Sequence, residues 1–224
     1  MKKLLLISTL TVAALFTLPG CRHLGKGVQG SGVRKTEKRS LPAFKSIETN
    51  GAFEIDVTCQ QAASFEIEGD DNLLPLIKTE VRGDVLRIYS DRSYNAKRAI
   101  SVRMALPDLE AIRSNGAADI HVAKVKNEQL TIGWQGAGRI EAAGETKFVS
   151  ISSTGAGKID TGGLHAERAK VSVTGAAQVD VYASQQLDVT VSGVGQVTYG
   201  GNPPVVNKSV SGFGSVNKKE SGGS

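Results

Sequence analysis

The stretch Asn115-Gly116-Ala117-Ala118-Asp119-Ile120-His121 returns five times further along the chain. It reads Gln135-Gly136-Ala137-Gly138-Arg139-Ile140-Glu141, then Thr154-Gly155-Ala156-Gly157-Lys158-Ile159-Asp160, then Thr174-Gly175-Ala176-Ala177-Gln178-Val179-Asp180. Ser192-Gly193-Val194-Gly195-Gln196-Val197-Thr198 and Ser211-Gly212-Phe213-Gly214-Ser215-Val216-Asn217 complete the series. An earlier copy, Asn50-Gly51-Ala52-Phe53-Glu54-Ile55-Asp56, opens it. From Gly116, the leading glycines Gly136, Gly155, Gly175, Gly193 and Gly212 follow at intervals of 20, 19, 20, 18 and 19 residues. Ile132, Ile151, Val171 and Val189 stand four places before their glycines; Ile120, Ile140, Ile159, Val179, Val197 and Val216 stand four places after. Their neighbours are mostly polar or charged, the alternation of half-buried strands.

Each repeat therefore predicts a strand, a glycine corner and a second strand. A period near nineteen is too short for a propeller blade or a helical-pair repeat. It suits an all-β, single-stranded right-handed β-helix (β-solenoid), in which each strand pairs with its equivalent one turn on. The hand follows from the usual preference of parallel crossovers. Six coils at ~4.8 Å spacing would stack to roughly 29 Å. The corner glycines either supply φ > 0 or let backbones approach closely. Asn50-Gly51 and Asn115-Gly116 also fit hairpin turns, so a hairpin sandwich is the rival fold; the Thr-Gly and Ser-Gly of later copies speak against it.

Gly51 and Gly116 are 65 positions apart, room for about three coils with one elaboration. Phe65 and Ile67 predict a short strand, Asp70 to Ile77 a capped helical turn, and Val85–Tyr89 and Ile100–Met104 strands again. Cys59 follows Phe53, Ile55 and Val57 at period two and is expected inside, as a free thiol. Trp134 shares the inward parity of Ile132, which favours core packing over a sugar-stacking role. Lys208 stands where other coils carry Ile or Val, and Asn202-Pro203-Pro204 precedes it; both read as an edge cap against end-to-end strand addition. The head is expected over residues 44–217, with a disordered tail at 218–224.

The first twenty residues read as an address. Lys2 and Lys3 precede an apolar run from Leu4 to Leu18, of secretory-signal length and shorter than a membrane span needs. The run ends in Leu18-Pro19-Gly20-Cys21, which resembles the bacterial lipoprotein cleavage box, in which the cysteine becomes the first residue and carries lipid. Several acyl chains, at ~0.8 kcal/mol per buried methylene, anchor such a protein to the membrane stably. Arg22 in place of Asp favours the outer membrane of a Gram-negative cell. Residues 21–43 are then a basic, Gly-rich tether.

Among the 224 residues are 27 basic and 22 acidic ones, a net charge of +5 that is unevenly spread. Residues 22–45 hold seven basic side chains against Glu37 alone, whereas residues 46–224 sum to −3. An acidic head on an exported chain gives no reason to invoke nucleic acid. Two cysteines make no disulfide framework, and three histidines argue against a zinc cage. Gly25-Lys26-Gly27-Val28-Gln29-Gly30 matches a dinucleotide fingerprint on paper but lacks the strand before it and the helix after it.

The polar-Gly repeats, together with Gly69-Asp70-Asp71-Asn72-Leu73-Leu74-Pro75-Leu76-Ile77-Lys78-Thr79-Glu80, resemble the auto-transporter adhesin head GIN domain family over about residues 44–216. The resemblance implies a secreted or lipid-anchored bacterial protein with a β-helical head and no established catalytic residues. Phe53 departs from the Ala or Gly of later copies and points to a wider end coil or a cap.

Two outward columns flank the inward one. Asp119, Arg139, Lys158, Gln178 and Gln196 stand three places after their glycines; His121, Glu141, Asp160, Asp180 and Thr198 stand five after. In stacked coils Glu141, Asp160 and Asp180 become successive rungs ~5 Å apart. Such a ladder must be offset by Arg139 and Lys158 or hold a cation, which makes weakly bound calcium the one cofactor to consider. Asp119, His121, Arg139, Glu141, Lys158, Asp160 and Asp180 form the candidate binding face for a glycan or protein ligand, against the plainer reading of a solvated face. No nucleophile elbow, phosphate loop or metal-binding helix motif occurs, and His121 and His165 occupy different places in their repeats. A non-catalytic, adhesin-like module is therefore expected. The alternatives are a periplasmic scaffold assembling through coil ends and, last, a polysaccharide-acting enzyme.

Overall fold

A computed structural model describes residues 27–219. The leader, Cys21 and the end of the tail from residue 220 lie outside the described residues. The chain first forms β1 (Val28–Gln29), β2 (Arg34–Lys38), β3 (Ser46–Asn50), β4 (Ala52–Cys59) and β5 (Ser64–Asp70). A 3-10 turn at Leu74–Leu76 leads into β6 (Ile77–Arg82), β7 (Val85–Ser90), β8 (Tyr94–Asn95), β9 (Ile100–Leu106) and β10 (Ala111–Ser114). The long coils are β11 (Ala117–Trp134), β12 (Ala137–Ser153), β13 (Ala156–Val173) and β14 (Ala176–Val191). They end in β15 (Gln196–Gly200), β16 (Val205–Val210) and β17 (Ser215–Lys218). Together they make a parallel β-solenoid of about five turns.

The long coils pair in parallel from one to the next, with Ile120 beside Ile140, Ile140 beside Ile159, and Ile159 beside Val179. This column runs from Val102 through Ile55 and Val197 to Val216, and all its members except Val216 are buried. A second inward column, Leu86, Ile47, Ile112, Ile132, Ile151, Val171 and Val189, faces the same core. Each such side chain contributes about 1.5–3 kcal/mol by leaving water. Midway along the coils the register shifts, and there Lys124 and Gly144 take left-handed φ values of 59° and 137°.

The corner glycines answer to crowding more than to conformation. A Cβ on Gly136 would overlap the carbonyl oxygen of Gly116, and one on Gly155 the carbonyl of Gly136. The same holds for Gly116 over Gly51, Gly175 over Gly155 and Gly193 over Gly175, while a Cβ on Gly212 would come 2.8 Å from the Gly193 oxygen. Within this series only Gly51 and Gly212 have positive φ.

Trp134 is buried between two serines, paired with Ser114 on one side and Ser153 on the other. Small neighbours leave room for the indole, whose Nε1–H donates to the Ala156 carbonyl at 3.3 Å. Thr49 lies one rung beyond Ser114, and the hydroxyls of Thr49, Ser114 and Ser153 are buried without a partner. Cys59 is a buried free thiol, as the period-two pattern predicts, and burial pushes its pKa up to about 11.

Two expectations are corrected. The three coils expected between Gly51 and Gly116 are not stacked between these corners: β4 pairs directly with β11, placing Asp56 beside His121. The intervening chain caps the other side of β3 and β4. β7 and β9 add one parallel level below them, and antiparallel pairing of β6 with β7, β5 with β9 and β2 with β5 closes the stack. Nor is the segment up to residue 43 a free tether, because Val28–Gln29 and Arg34–Lys38 already pair with the base. β1 pairs with β8, β2 with β5, and Asp70–Asn72 holds the segment between. Asp70 accepts from the Gly32 N–H at 3.1 Å, while Asn72 accepts from Ser31 N–H at 2.9 Å and donates to the Gln29 carbonyl at 2.7 Å. Arg39 fastens the far end of this arm, donating to the Ile77 and Leu74 carbonyls at 2.8 and 3.2 Å. Gly27 and Gly30 are glycines because a Cβ there would meet Ser93 and the Asp70 carboxylate.

At the opposite end β14 pairs with β16 and β15 with β17, so Lys208 takes the rung after Val189. Its ammonium lies 4.7 Å from the centre of the Tyr199 ring, folded across the end of the stack.

Gly136→Ala is expected to destabilise the head by at least about 2 kcal/mol, since only backbone movement relieves the overlap, read as a fall in the urea midpoint. Thr49→Val should instead stabilise it by about 1 kcal/mol, by replacing an unpartnered buried hydroxyl with a methyl of similar shape; a thermal melt decides it.

Candidate functional site

The outward columns stack as the repeat predicts. Glu54, Asp119, Arg139, Lys158, Gln178, Gln196 and Ser215 occupy successive rungs of one. Asp56, His121, Glu141, Asp160, Asp180, Thr198 and Asn217 occupy the other. Every polar candidate from the sequence thus lies on one face, and the corner glycines Gly51, Gly116, Gly136, Gly155, Gly175, Gly193 and Gly212 run along its edge.

Like charges on neighbouring rungs are offset by cations from the adjacent column. Lys158 bridges two coils, its ammonium 2.9 Å from Asp160 and 3.3 Å from Asp180. Arg139 lies 3.3 Å from Glu141, whose other oxygen is 3.2 Å from His121 Nδ1. Asp119 accepts from the Arg139 backbone N–H at 3.1 Å. Burial raises the Asp160 carboxyl, but hydrogen bonds from Lys158 and the Gly162 N–H, with the charges of Lys158 and Lys219, outweigh it and hold the carboxyl below its ordinary value. Hydrogen bonds to Asp160 and then Asp180 raise the Lys158 ammonium in turn. Among the described residues, no group of three or more His, Cys, Asp or Glu is gathered as a metal ion requires.

The face is open. A shallow depression of about 450 Å³ lies over Glu54, Asp119, His121, Arg139 and Lys158. A more enclosed pocket of about 190 Å³ sits apart from the ladder, under residues 39–44, lined by apolar side chains such as Leu41, Phe44, Phe65 and Leu106. His165 is not near His121 in the pairing; it packs against Tyr182 with ring centres 4.7 Å apart. The arm clamp by Asp70, Asp71 and Asn72 was not legible beforehand. Its one available signal was a run of three Asx residues, more side-chain acceptors than a single short turn can use.

Asp160, with its lowered pKa, stabilises the fold above the unfolded carboxyl pKa of ~4, and the contribution is lost as pH falls through the folded value. Lys158, with its raised pKa, contributes below ~10.4 and loses this as pH rises through its folded value. Asp160→Asn should therefore lower stability at pH 7 by no more than about 1 kcal/mol, the pair being partly exposed. In thermal melts the gap between parent and variant should narrow as the pH is taken down through the folded carboxyl's titration.

No curated protein matches the chain. Solved structures do. One, described as a putative adhesin from Bacteroides fragilis, is 23% identical, with a TM-score of 0.73 over 86% of this chain and 100% of that one. Another from Parabacteroides merdae, also described as a putative adhesin, is 19% identical with a TM-score of 0.50, covering 86% and 99%. A Parabacteroides distasonis structure described as a putative lipid binding protein is 21% identical, again with a TM-score of 0.50 and coverage of 86% and 99%. At these identities the likeness is one of fold. The family model described as "Putative auto-transporter adhesin, head GIN domain" matches residues 43–203, from β3 through β15, and the chain belongs to that family.

Proposed function

We propose that the protein is a non-catalytic, lipid-anchored component of the bacterial envelope whose solenoid face binds a glycan or protein partner. The observation that carries this reading is the ladder itself: one outward surface, continuous from Glu54 and Asp56 to Ser215 and Asn217, held flat by strand pairing. A flat face of this kind presents repeated polar groups at fixed spacing to an extended partner. Against catalysis stand the ion pairs of Glu141, Asp160 and Asp180, which occupy the carboxylates an acid–base pair would need free. The anchor rests on Leu18-Pro19-Gly20-Cys21 after an export signal, and Arg22 favours the outer membrane. The family's description as an adhesin head is consistent with this assignment.

Protease shaving of intact cells, followed by mass spectrometry, tests the outward-facing reading. Peptides from residues 46–217 should be released while a periplasmic control protein stays intact. Full protection until the outer membrane is opened would remove adhesion and leave a periplasmic scaffold. Metabolic labelling with an alkynyl fatty acid should mark the protein, and Cys21→Ser should abolish the mark.

A further inference from the structure

The outward face changes character toward its distal end. Three outward positions recur in each coil, one, three and five places after the glycine. The first is Ala52, Ala117, Ala137, Ala156 and Ala176 through five coils, then Val194 and Phe213 in the last two. Val194 is 67% exposed and Phe213 92% exposed. They stand at successive corners, the Phe213 N–H donating to the Gly193 carbonyl at 3.1 Å and the Val194 N–H to the Gly175 carbonyl at 3.2 Å. At the other two positions the acids and bases of the middle coils give way to Gln178, Gln196, Thr198, Ser215 and Asn217, with Asp180 at the boundary.

Core packing does not account for these residues, because Phe213 touches solvent over nearly its whole surface. Charge balance does not either, since the amides and hydroxyls are neutral. Gln178, Gln196 and Thr198 also make no side-chain hydrogen bond among the described residues, so their donors and acceptors face solvent unused. The patch covers three rungs and four residue steps, about 10 by 13 Å at strand spacing. An aromatic ring and free amides and hydroxyls on one open surface, whose carboxylate Asp180 is already paired with Lys158, suit a ligand with one apolar face and a rim of hydroxyls. A pyranose meets that description: its axial C–H groups stack on an aromatic ring, and its equatorial hydroxyls pair with amides.

We infer that the last coils form a binding site for an uncharged glycan, with Phe213 as the stacking platform and Gln178, Gln196 and Thr198 as the hydrogen-bonding floor. The inference rests on the binding-face reading above and narrows it to one end of the face and one class of ligand. The patch is about two sugar units long.

The test uses the chain from residue 21 with Cys21→Ser, titrated calorimetrically with cellohexaose, maltohexaose, mannohexaose and chitohexaose, and with polygalacturonate as the charged comparison. At least one neutral oligosaccharide should bind, with affinity unchanged between 0.05 and 0.5 M NaCl, since no ion pair is screened. Phe213→Ala should weaken binding about two- to tenfold, the range expected for one aromatic contact, without shifting the melting temperature. Gln196→Ala should weaken it too, and Lys158→Ala should not. Sugar binding that survives Phe213→Ala and Gln196→Ala but falls with Lys158→Ala would overturn the distal site and leave the broader binding face standing. Salt-sensitive binding of polygalacturonate alone would overturn the uncharged class. Binding of none of these sugars would overturn the inference while leaving a protein partner for the face.

Discussion

Parallel strands stacked at sheet spacing bring equivalent backbone atoms of successive coils almost into contact at the corner, where the chain turns tightest. There the carbonyl of one glycine occupies the space a side chain on the next would need. A one-residue slip of any coil would put a Cβ into that space. It would also turn every inward Ile or Val outward, because side chains alternate with a period of two. Steric exclusion at the corner and burial along the arms thus demand the same register, and the polar columns inherit their alignment without contributing much to it.

That inheritance explains how a ladder of charges can exist at small cost. Asp160 and Asp180 are neighbours because their flanking valine and isoleucine are, and the sequence meets the resulting repulsion by placing Lys158 diagonally between them. The ion pairs are partly exposed and worth little individually. Their role on the face is to let like charges coexist at a spacing set by the backbone. Where the charged columns end, after Asp180, the spacing persists and only the chemistry on display changes.

The repeated part of the molecule was legible because its signal is periodic and local. Glycine spacing located the corners, Ile140 and Ile159 the inward column, and Glu141 and Asp160 the outward one, all in the register that the strands adopt. The base was not legible in the same way. Its strands occur out of spatial order, with β7 and β9 lying below β3 and β4 although they follow them in sequence. Three of its pairings, β2 with β5, β5 with β9 and β6 with β7, are antiparallel and break the period. The N-terminal arm read as a basic linker because Arg34 and Arg39 look like solvated charge when their partners, Glu68 and the Leu74 and Ile77 carbonyls, lie more than thirty residues away. Lys208, by contrast, could be recognised as an oddity from its place in the repeat, though its position across Tyr199 could not.

The docking of that arm sets how the molecule would stand on a bilayer. Because Gly27 already lies beside Ser93, no more than residues 22–26 can separate the paired arm from Cys21. Five residues span about 20 Å at full stretch, where a linker extending to residue 43 would span roughly 75 Å. A chain acylated at Cys21 would therefore keep its base within about 20 Å of the lipid surface. Its opposite end could reach no further than that distance plus the height of the stack, less a free-swinging bead than a short post. How far such a post reaches is fixed by the number of coils, so adding or deleting one repeat would move the tip in steps of one strand spacing, ~4.8 Å at a time.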